Sequence, residues 1–332
     1  MPDRTTWLDR TRETALEPGL PICDPHHHLW EHPGSRYLLD EFLHDVGSGH
    51  RIVATVYVEC VQHYRSTGPI ALQPVGETEF VHRVTASHQG EASGARIAAG
   101  IIGFADLTLG KAVMPVLRAH LDASDRFRGI RYASAWDASP EIRVAHTRPP
   151  PGLLREPAFR KGFACLARLG LSFDAWLYHA QFGELAELAR EFPDVTIVLD
   201  HMGGPLGIGP YAGQQEALFA EWRAALARLS SCDNVFIKLG GRTLTLAGFG
   251  WHRRDAPPGS EELASASAPY YTACIDLFSP GRCMFESNFP VDRASCSYAV
   301  LWNAFKRLSR RYSDAERAAL FHDTAARAYG LA

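Results

Sequence analysis

Short β-type runs alternate with helical segments along this 332-residue chain, and that alternation limits its fold more than any other feature. Each helical segment carries an apolar stripe; in the segment 181–192, Phe182, Leu185 and Ala189 share one face. The eight β-type runs cover residues 22–28, 52–59, 97–105, 127–133, 171–177, 195–201, 235–240 and 283–288. The helical segments cover residues 111–122, 157–169, 181–192, 215–230, 297–310 and 314–329.

Eight strands that alternate with helices, without a break in composition, predict one α/β domain, a (β/α)8 TIM barrel. An open doubly wound sheet is the alternative, but it usually has a glycine-rich turn after its first strand, where this chain has histidines. We expect the barrel over residues 21–332, preceded by an N-terminal extension over residues 1–20. Long loops at 134–156 and 242–268 follow the fourth and seventh strands, on the carboxyl-terminal face that usually carries function.

The composition narrows the class of function. The net charge is only −3 and no basic run is present, so we expect neither a nucleic acid nor an anionic membrane as a partner. The apolar stretches are strand-sized and the first 18 residues lack an apolar core, which argues against a membrane span and a secretory signal. Seven cysteines without a CxxC pair are typical of reduced thiols in a cytoplasmic protein. The expected partner is a small-molecule substrate, and a homo-oligomer stays open.

Three consecutive histidines end the first β-type run. In a strand, His26 and His28 point to the same side, about 7 Å apart along the chain. Two neutral imidazoles at that spacing can bind one metal ion or polarise a substrate oxygen, whereas the alternative is a polar surface loop. Asp24 falls on the same face one step earlier, so we interpret it as a structural partner of the two histidines.

Further polar residues lie at or near the carboxyl ends of the other predicted strands. They are Glu59, Arg131, His179, His201, Lys238, Glu286 and Asn288. Any one of them alone is more often structural, but in a barrel they converge on one mouth, where burying so many without partners would be costly. Arg131 is interpreted as a clamp for a carboxylate or a carbonyl, and Lys238 either as a substrate contact or as half of a structural ion pair.

Three motifs resemble the amidohydrolase-related (amidohydrolase 2) family of the amidohydrolase superfamily. They are Asp24-Pro25-His26-His27-His28, Asp200-His201-Met202-Gly203 and the Ser-x-x-Pro of residues 287–290. Within that family the chain is most similar to the group that includes 2-pyrone-4,6-dicarboxylate lactonase and the sugar-lactone lactonases. The resemblance covers residues from about 21 to the C-terminus.

The resemblance implies roles for residues at matching positions. His26, His28 and His201 match histidines that bind a divalent metal such as zinc, or that contact the substrate in members that work without a metal. Glu59 and Arg131 match the second-strand Glu and the fourth-strand Arg of relatives. His179 matches the fifth-strand histidine of the superfamily more loosely, and we include it among the predicted substrate-binding residues.

The eighth strand departs from the family pattern, because Asn288 stands where relatives have an aspartate that acts as general base. An amide has no useful basicity, so we predict that Glu286, two residues earlier on the same strand face, supplies the base. The alternatives are that Glu286 forms an ion pair with Lys238 or Arg131, or that Asp292 is the substitute base. Asn288 is retained among the predicted catalytic-site residues.

The predicted function is therefore that of a hydrolase that opens a small carboxylated or hydroxylated lactone. Water attacks the carbonyl, Glu286 removes its proton, and Arg131 with the histidines stabilises the oxyanion, with or without a metal. The loop residues His146 and Arg148 are candidates for binding substrate carboxylate or hydroxyl groups. Two alternatives stay open: decarboxylation of an aromatic acid, and a barrel that binds a small acid without catalysis.

Overall fold

Eight parallel strands form a nearly closed barrel in the computed structural model, which describes residues 4–89 and 94–331. The strands, with a short hairpin of β2 and β3 outside the barrel, are β1 Pro21–His27, β2 Trp30–His32, β3 Ser35–Tyr37, β4 Arg51–Val58, β5 Arg96–Gly103, β6 Phe127–Ala133, β7 Ser172–Trp176, β8 Ile197–Leu199, β9 Val235–Leu239 and β10 Cys283–Phe285. Barrel neighbours follow chain order, β1-β4-β5-β6-β7-β8-β9-β10. The predicted α/β barrel is confirmed.

The barrel closes between β1 and the segment that follows β10. His27 forms a parallel bridge with Phe289, and the backbone N–H of Asn288 donates to the carbonyl of His26 at 2.9 Å. The closure brings the two ends of the chain together, so the first-strand histidines lie beside residues that follow the last strand.

Five predicted strands are shorter in the structure than the periodicity indicated, and the two that lose three residues or more are those that were predicted to carry His201 and Glu286. The predicted strand 195–201 ends at Leu199, because His201 adopts a left-handed backbone conformation with φ of 54°. The predicted strand 283–288 ends at Phe285, and Asn288 also has φ of 54°. The expectation that Glu286 and Asn288 lie in a strand and share one of its faces is therefore wrong.

Helices surround the barrel. Their bounds are α1 Arg4–Leu8, α2 Leu39–Val46, α3 Val75–Val84, α4 Met114–Ala123, α5 Pro157–Leu169, α6 Phe182–Glu191, α7 Gln215–Leu229, α8 Ser260–Phe278, α9 Tyr298–Leu308, α10 Asp314–Ala318 and α11 Thr324–Ala328. The predicted loop 242–268 ends at residue 259, since α8 begins at Ser260, and its many serines and alanines hid a helix that also contains Pro269. The predicted helix 314–329 is divided by a π-turn at Ala319–Asp323.

The N-terminal extension packs against the outside of the barrel. Lys306 on α9 donates through Nζ to the carbonyls of Leu16 and Glu17, and the backbone N–H of Leu16 donates to Asn303. The boundary at residue 20 stays a prediction. In the described ranges, none of the helices combines the length and apolar character of a membrane span, and a cytoplasmic location stays a prediction. All seven cysteines are free.

The buried apolar residues form three clusters, and two of them belong to the barrel itself. The larger one lies between strands and helices, whereas a separate apolar cluster joins inward-facing strand residues to the C-terminal segment. That second cluster includes Val56, Val198 and Met284 from the strands together with Tyr329 and Leu331. The end of the chain therefore fills the lower part of the barrel, below the residues predicted to form the site.

Candidate active site

His26 and His28 face the same side of the barrel, as predicted. Their Nε2 atoms lie 3.2 Å apart, and Nδ1 of His28 is 2.7 Å from the carbonyl oxygen of Val58. His27 points away from them, stacks on Phe42 with ring centroids 4.0 Å apart and bonds to a hydroxyl outside the site. The middle histidine of the run therefore belongs to the packing around β1, and the outer two belong to the site.

Lys238 lies directly beneath His26 and fixes the state of its ring. Its Nζ is 3.1 Å from Nδ1 of His26, 2.6 Å from Asp174 and 2.9 Å from Asp200. An ammonium group can only donate, so we assign Nδ1 of His26 as the acceptor and its Nε2 as the protonated nitrogen. In this assignment the longer 3.5 Å approach of Arg131 Nη1 to Nε2 is a contact and not a hydrogen bond. We therefore assign a directional chain in which Lys238 donates to His26, His26 to His28, and His28 through Nδ1 to Val58.

His26 and His28 are both neutral near pH 7. The pKa of His26 lies below its usual value because burial disfavours the cation and the Lys238 ammonium repels it. The pKa of His28 lies well below its usual value, first through burial and then through the charges around it. Neutral rings are what the donor-to-acceptor chain requires.

His201 and Glu286 form a closely bonded pair. Nδ1 of His201 is 2.6 Å from Oε1 of Glu286, and the backbone N–H of His201 donates to the same oxygen at 3.1 Å. Two glycines on the loop after β9 make room for the pair. A Cβ on Gly240 would lie 2.2 Å from Cγ of Glu286, and one on Gly241 would lie 2.6 Å from Cβ of His201.

The charges of the pair support each other. Burial would raise the pKa of Glu286, but its interactions with His201, and to a smaller extent with His26, outweigh burial and lower the pKa to about 2. Burial also disfavours the imidazolium of His201, yet the Glu286 carboxylate outweighs burial and raises the pKa of His201 above its usual value. Oε2 of Glu286 lies 3.0 Å from Nδ1 of His26 but forms no hydrogen bond with it, because Lys238 already donates to that nitrogen.

The other edge of the His201 ring remains available. Within residues 4–89 and 94–331, no group forms a hydrogen bond with its Nε2. The ring lies between His26 and Trp176, with centroids 4.6 Å and 4.9 Å away. Because Nδ1 donates to Glu286, Nε2 carries the lone pair, and this is the arrangement of a general base oriented by a carboxylate.

Arg131 and Glu59 form a second charged pair beside the histidines. Nε of Arg131 donates to Oε1 of Glu59 at 2.8 Å, and its Nη2 donates to the Glu59 carbonyl. Nη1 of Arg131 reaches to 3.5 Å from Nε2 of His26. Nε2 of His146, from the long loop after β6, lies 3.8 Å from Oε2 of Glu59. Glu59 therefore holds the guanidinium of Arg131 beside the ring of His26, and the ring of His146 lies near the same Glu59 carboxylate.

Asn288 and Asp292 are bonded to each other after the last strand. Nδ2 of Asn288 donates to Oδ2 of Asp292 at 2.5 Å, and burial raises the pKa of Asp292 to about 8. Asp24 accepts from the backbone N–H of Ser287 at 2.9 Å and from the hydroxyl of Tyr298 at 2.9 Å. Asp24 therefore holds the turn after β10 against β1 rather than bonding to an imidazole.

His179 is not brought to this cluster. Its ring lies 6.4 Å from that of Tyr211, and within the described residues no hydrogen bond, ion pair or ring contact joins His179 to the other predicted site residues. Arg148 is exposed on the loop after β6. The predicted substrate-binding roles of His179 and Arg148 stay predictions.

Sequence reasoning missed three buried residues of the site. Asp174 precedes the end of β7, and its even spacing from Trp176 could have placed it inside the barrel. Asp200 lies in the quoted motif with His201 but received no role. Tyr329 donates to Asp174 at 2.7 Å from a position 155 residues later in the chain, and no local pattern predicts such a contact.

One group of donors has the composition of a metal site. His26, Asp200 and His201 each offer a ligand atom, and these atoms lie within 4.8 Å of one another. All three residues are buried. Imidazole and carboxylate ligands suit zinc and similar divalent ions.

Comparisons with known proteins agree with this architecture. The chain is 33% identical to the uncharacterized protein y4mH of Sinorhizobium fredii, over 93% of this chain and 98% of that protein. It is 27% identical to an L-fucono-1,5-lactonase of Burkholderia multivorans, over 94% of this chain and 97% of the relative.

A solved structure of an amidohydrolase from Burkholderia multivorans with bound zinc has the same fold. Its TM-score is 0.72 at 24% identity, and the match covers 94% of this chain and 99% of that one. The model of the amidohydrolase family (Amidohydro_2) matches residues 23–331. The resemblance found in the sequence is thereby confirmed, and the chain belongs to the amidohydrolase family.

Proposed function

We propose that this protein is a lactonase that hydrolyses a small hydroxylated or carboxylated lactone. One observation carries the proposal: His201 is bonded to Glu286 at 2.6 Å through Nδ1, while its Nε2 has no partner among the described residues. Such a ring is prepared to take a proton from water at neutral pH. The activity stated for the relative from Burkholderia multivorans supports a lactone as substrate.

In the proposed reaction His201, rather than Glu286, is the general base. Glu286 was predicted to remove the proton from water, but its pKa of about 2 makes it a weak base, and its Oε1 is already bonded to His201. His201 matches the task better, because the Glu286 carboxylate raises the pKa of its ring and so makes it the stronger base of the two. Glu286 then holds the ring in the required tautomer and stabilises the imidazolium.

Arg131 stabilises the negative charge that develops on the carbonyl oxygen. Glu59 holds its Nε and Nη2, so Nη1 remains directed toward the rings. A charged donor that is fixed before the reaction stabilises the tetrahedral intermediate without reorganisation. The protonated His201 then gives its proton to the departing ring oxygen. The carbonyl carbon gains the water oxygen, the ring ester bond breaks, and the product is a hydroxy acid.

A buried cation already lies against two of the three donor residues, and this disfavours a divalent metal there, although Oδ2 of Asp200 has no partner among the described residues. Nδ1 of His26 and Oδ1 of Asp200 both contact the Lys238 ammonium, at 3.1 and 2.9 Å, and Nδ1 of His201 is bonded to Glu286. A divalent ion at these donor atoms would have to displace a buried cation, which also contacts the carboxylate of Asp174. We therefore propose a reaction without a metal, and no step of it depends on one.

Decarboxylation of an aromatic acid receives less support. It was predicted as an alternative, but the curated relatives with a stated activity are lactonases. A barrel that binds without catalysis is also less favoured, since His201 has the arrangement of a general base and Glu286 is the carboxylate that orients it.

A lactone panel tests the proposal. The purified protein is incubated with L-fucono-1,5-lactone, a γ-lactone and a carboxylated lactone, and acid release is followed by titration. We expect acid release from at least one lactone, and none above background from the H201G variant. Release of CO₂ from an aromatic acid without any lactone hydrolysis would contradict the proposal, as would binding without turnover.

A further inference from the structure

We propose that Tyr329, three residues before the C-terminus, is a positioning residue for the active site. It acts through Asp174 and Lys238 on the ring of His26. The inference rests on the proposed function for its kinetic consequence, whereas the structural link itself is independent of it.

The link consists of consecutive short contacts between buried groups. The hydroxyl of Tyr329 donates to Oδ2 of Asp174 at 2.7 Å, and Nζ of Lys238 donates to the same oxygen at 2.6 Å. Lys238 also contacts Oδ1 of Asp200 at 2.9 Å and Nδ1 of His26 at 3.1 Å. All five side chains are buried, so water does not compete for these bonds.

The ammonium of Lys238 is fully used. It has three N–H donors and three acceptors, one each on Asp174, Asp200 and His26. Its position is therefore a balance among the three. If one carboxylate attracts the ammonium more strongly, the contact with the neutral imidazole is the one that lengthens, because charged pairs make the stronger bonds.

Tyr329 determines how strongly Asp174 attracts the Lys238 ammonium. Its hydroxyl shares Oδ2 with Lys238, while Oδ1 of Asp174 has no hydrogen-bond partner among the described residues. Without the hydroxyl, all of the charge on Oδ2 acts on Lys238. The ring of Tyr329 also lies 5.5 Å from Nζ of Lys238, a second contact from the same side chain.

The fold holds Tyr329 in place for this task. It belongs to the apolar cluster inside the barrel, and it is followed by Leu331, whose carbonyl accepts from Arg96. The C-terminal segment thus enters the barrel below the site and presents one hydroxyl to the charged residues above it. A chain end that served only to fill the barrel would need no polar group there.

The consequence for catalysis follows from the position of His26. Its ring lies 4.6 Å from that of His201, and its Nε2 is near Nη1 of Arg131. A His26 ring released by Lys238 can rotate and disturb both the base and the oxyanion donor. Because these groups act in the transition state, we expect a loss in kcat with little change in KM.

The Y329F variant tests the inference against a matched control. Tyr37 is as buried as Tyr329, and its hydroxyl also donates to one carboxylate, Asp45 at 2.6 Å, away from the site. For Y329F we expect about a tenfold lower kcat at unchanged KM, and for Y37F a kcat within about twofold of wild type. Both variants lose one hydrogen bond from a tyrosine hydroxyl to a carboxylate, the Tyr37 bond being partly buried, so a fall in melting temperature is expected for each and is no larger for Y37F.

A spectroscopic measurement separates this inference from the proposed function. The ¹⁵N chemical shifts of His26 report its tautomer, and we expect Y329F, but not Y37F, to move them. D174N serves as a second variant and should move the same resonances. Unchanged His26 resonances in both Y329F and D174N would overturn the inference, as would equal losses of kcat in Y329F and Y37F. If the wild-type protein hydrolyses no lactone, the proposed function fails while the resonances still decide the link.

Discussion

Two charged groups lie one above the other inside this barrel, and they differ in how completely their atoms are bonded. In the lower group Lys238 uses all three of its donors on Asp174, Asp200 and His26. In the upper group His201 is bonded on one edge only, through Nδ1 to Glu286. The Lys238 ammonium has no donor left for a substrate, so it can only position its neighbours, whereas the unbonded edge of the His201 ring is free to react.

The same contrast explains why two buried carboxylates have different tasks. Asp174 belongs to the lower group and holds a cation in place, and burial raises its pKa to about 6. Glu286 belongs to the upper group, and its neighbours keep it ionised. A carboxylate that remains ionised can orient and charge a histidine, and this is the role that we propose for Glu286.

The largest expected effect among these predictions comes from E286Q, which removes the charge that distinguishes the upper group. We expect kcat to fall about 10³-fold, because His201 loses both its orientation and its partner charge. Glu286 raises the pKa of His201, so the pKa of His201 should be lower in E286Q than in the wild type. The acid limb of the kcat/KM profile should therefore move to lower pH. The measurement is a pH–rate profile.

The control for that variant is E184Q, which changes a buried glutamate on α6 away from the histidines. It should leave kcat and the acid limb unchanged. An E286Q enzyme with near-full activity would show that the upper group does not depend on its carboxylate.

A smaller loss is expected when Arg131, which lies beside the upper group, is replaced by a residue of the same charge but different shape. R131K retains a cation yet loses the fork that Glu59 holds, so the donor near the carbonyl is no longer fixed. We expect kcat/KM to fall about 10²-fold. R126K is the control, because Arg126 is exposed to the same extent, 7%, and bonds to groups outside the site. Equal losses in both variants would contradict a role in catalysis.

Adding a carboxylate at position 288, next to Asp292, should weaken the fold rather than improve catalysis. N288D introduces the aspartate that the family resemblance leads us to expect at this position, but it places a second carboxyl group 2.5 Å from Asp292 in a buried site. We expect a loss of about 1–3 kcal/mol in the free energy of unfolding and no gain in kcat. The N288D/D292N double variant exchanges acceptor and donor, and it should recover most of that loss in urea denaturation. A faster N288D enzyme would indicate that a base is missing from the wild type.

No effect is expected from removing metal ions. Since the Lys238 ammonium already lies against Nδ1 of His26 and Oδ1 of Asp200, we expect kcat to be unchanged after dialysis against a chelator. Elemental analysis of the purified protein should find no stoichiometric zinc. Activity that is lost on chelation and restored by zinc would show that the lower group gives way to a metal.

The sequence predicted more of the fold than of the chemistry. The alternation of eight strands and helices was enough for the barrel, because each element buries an apolar face at its own period. The convergence of His26, His201 and Glu286 followed from their places at strand ends. The start of α8 at Ser260 was missed, because serines, alanines and a proline weaken a helical pattern.

The roles of the site residues depended on distances that no sequence pattern supplies. The left-handed backbone of His201 is unusual for a residue other than glycine, so nothing local predicted that its N–H would reach Glu286. The contact of Tyr329 with Asp174 joins opposite parts of the chain. Periodicity places side chains on a face, but it does not tell which of two neighbouring groups is bonded and which is free.

Chemical rescue of His201 tests the central claim most directly. H201G suits the backbone there, since glycine adopts a φ of 54° without strain, and it removes the ring that is proposed to act as base. We predict that H201G hydrolyses the lactone at the background rate and that added imidazole restores activity in proportion to its concentration. A folded H201G enzyme that is active without imidazole would contradict the account.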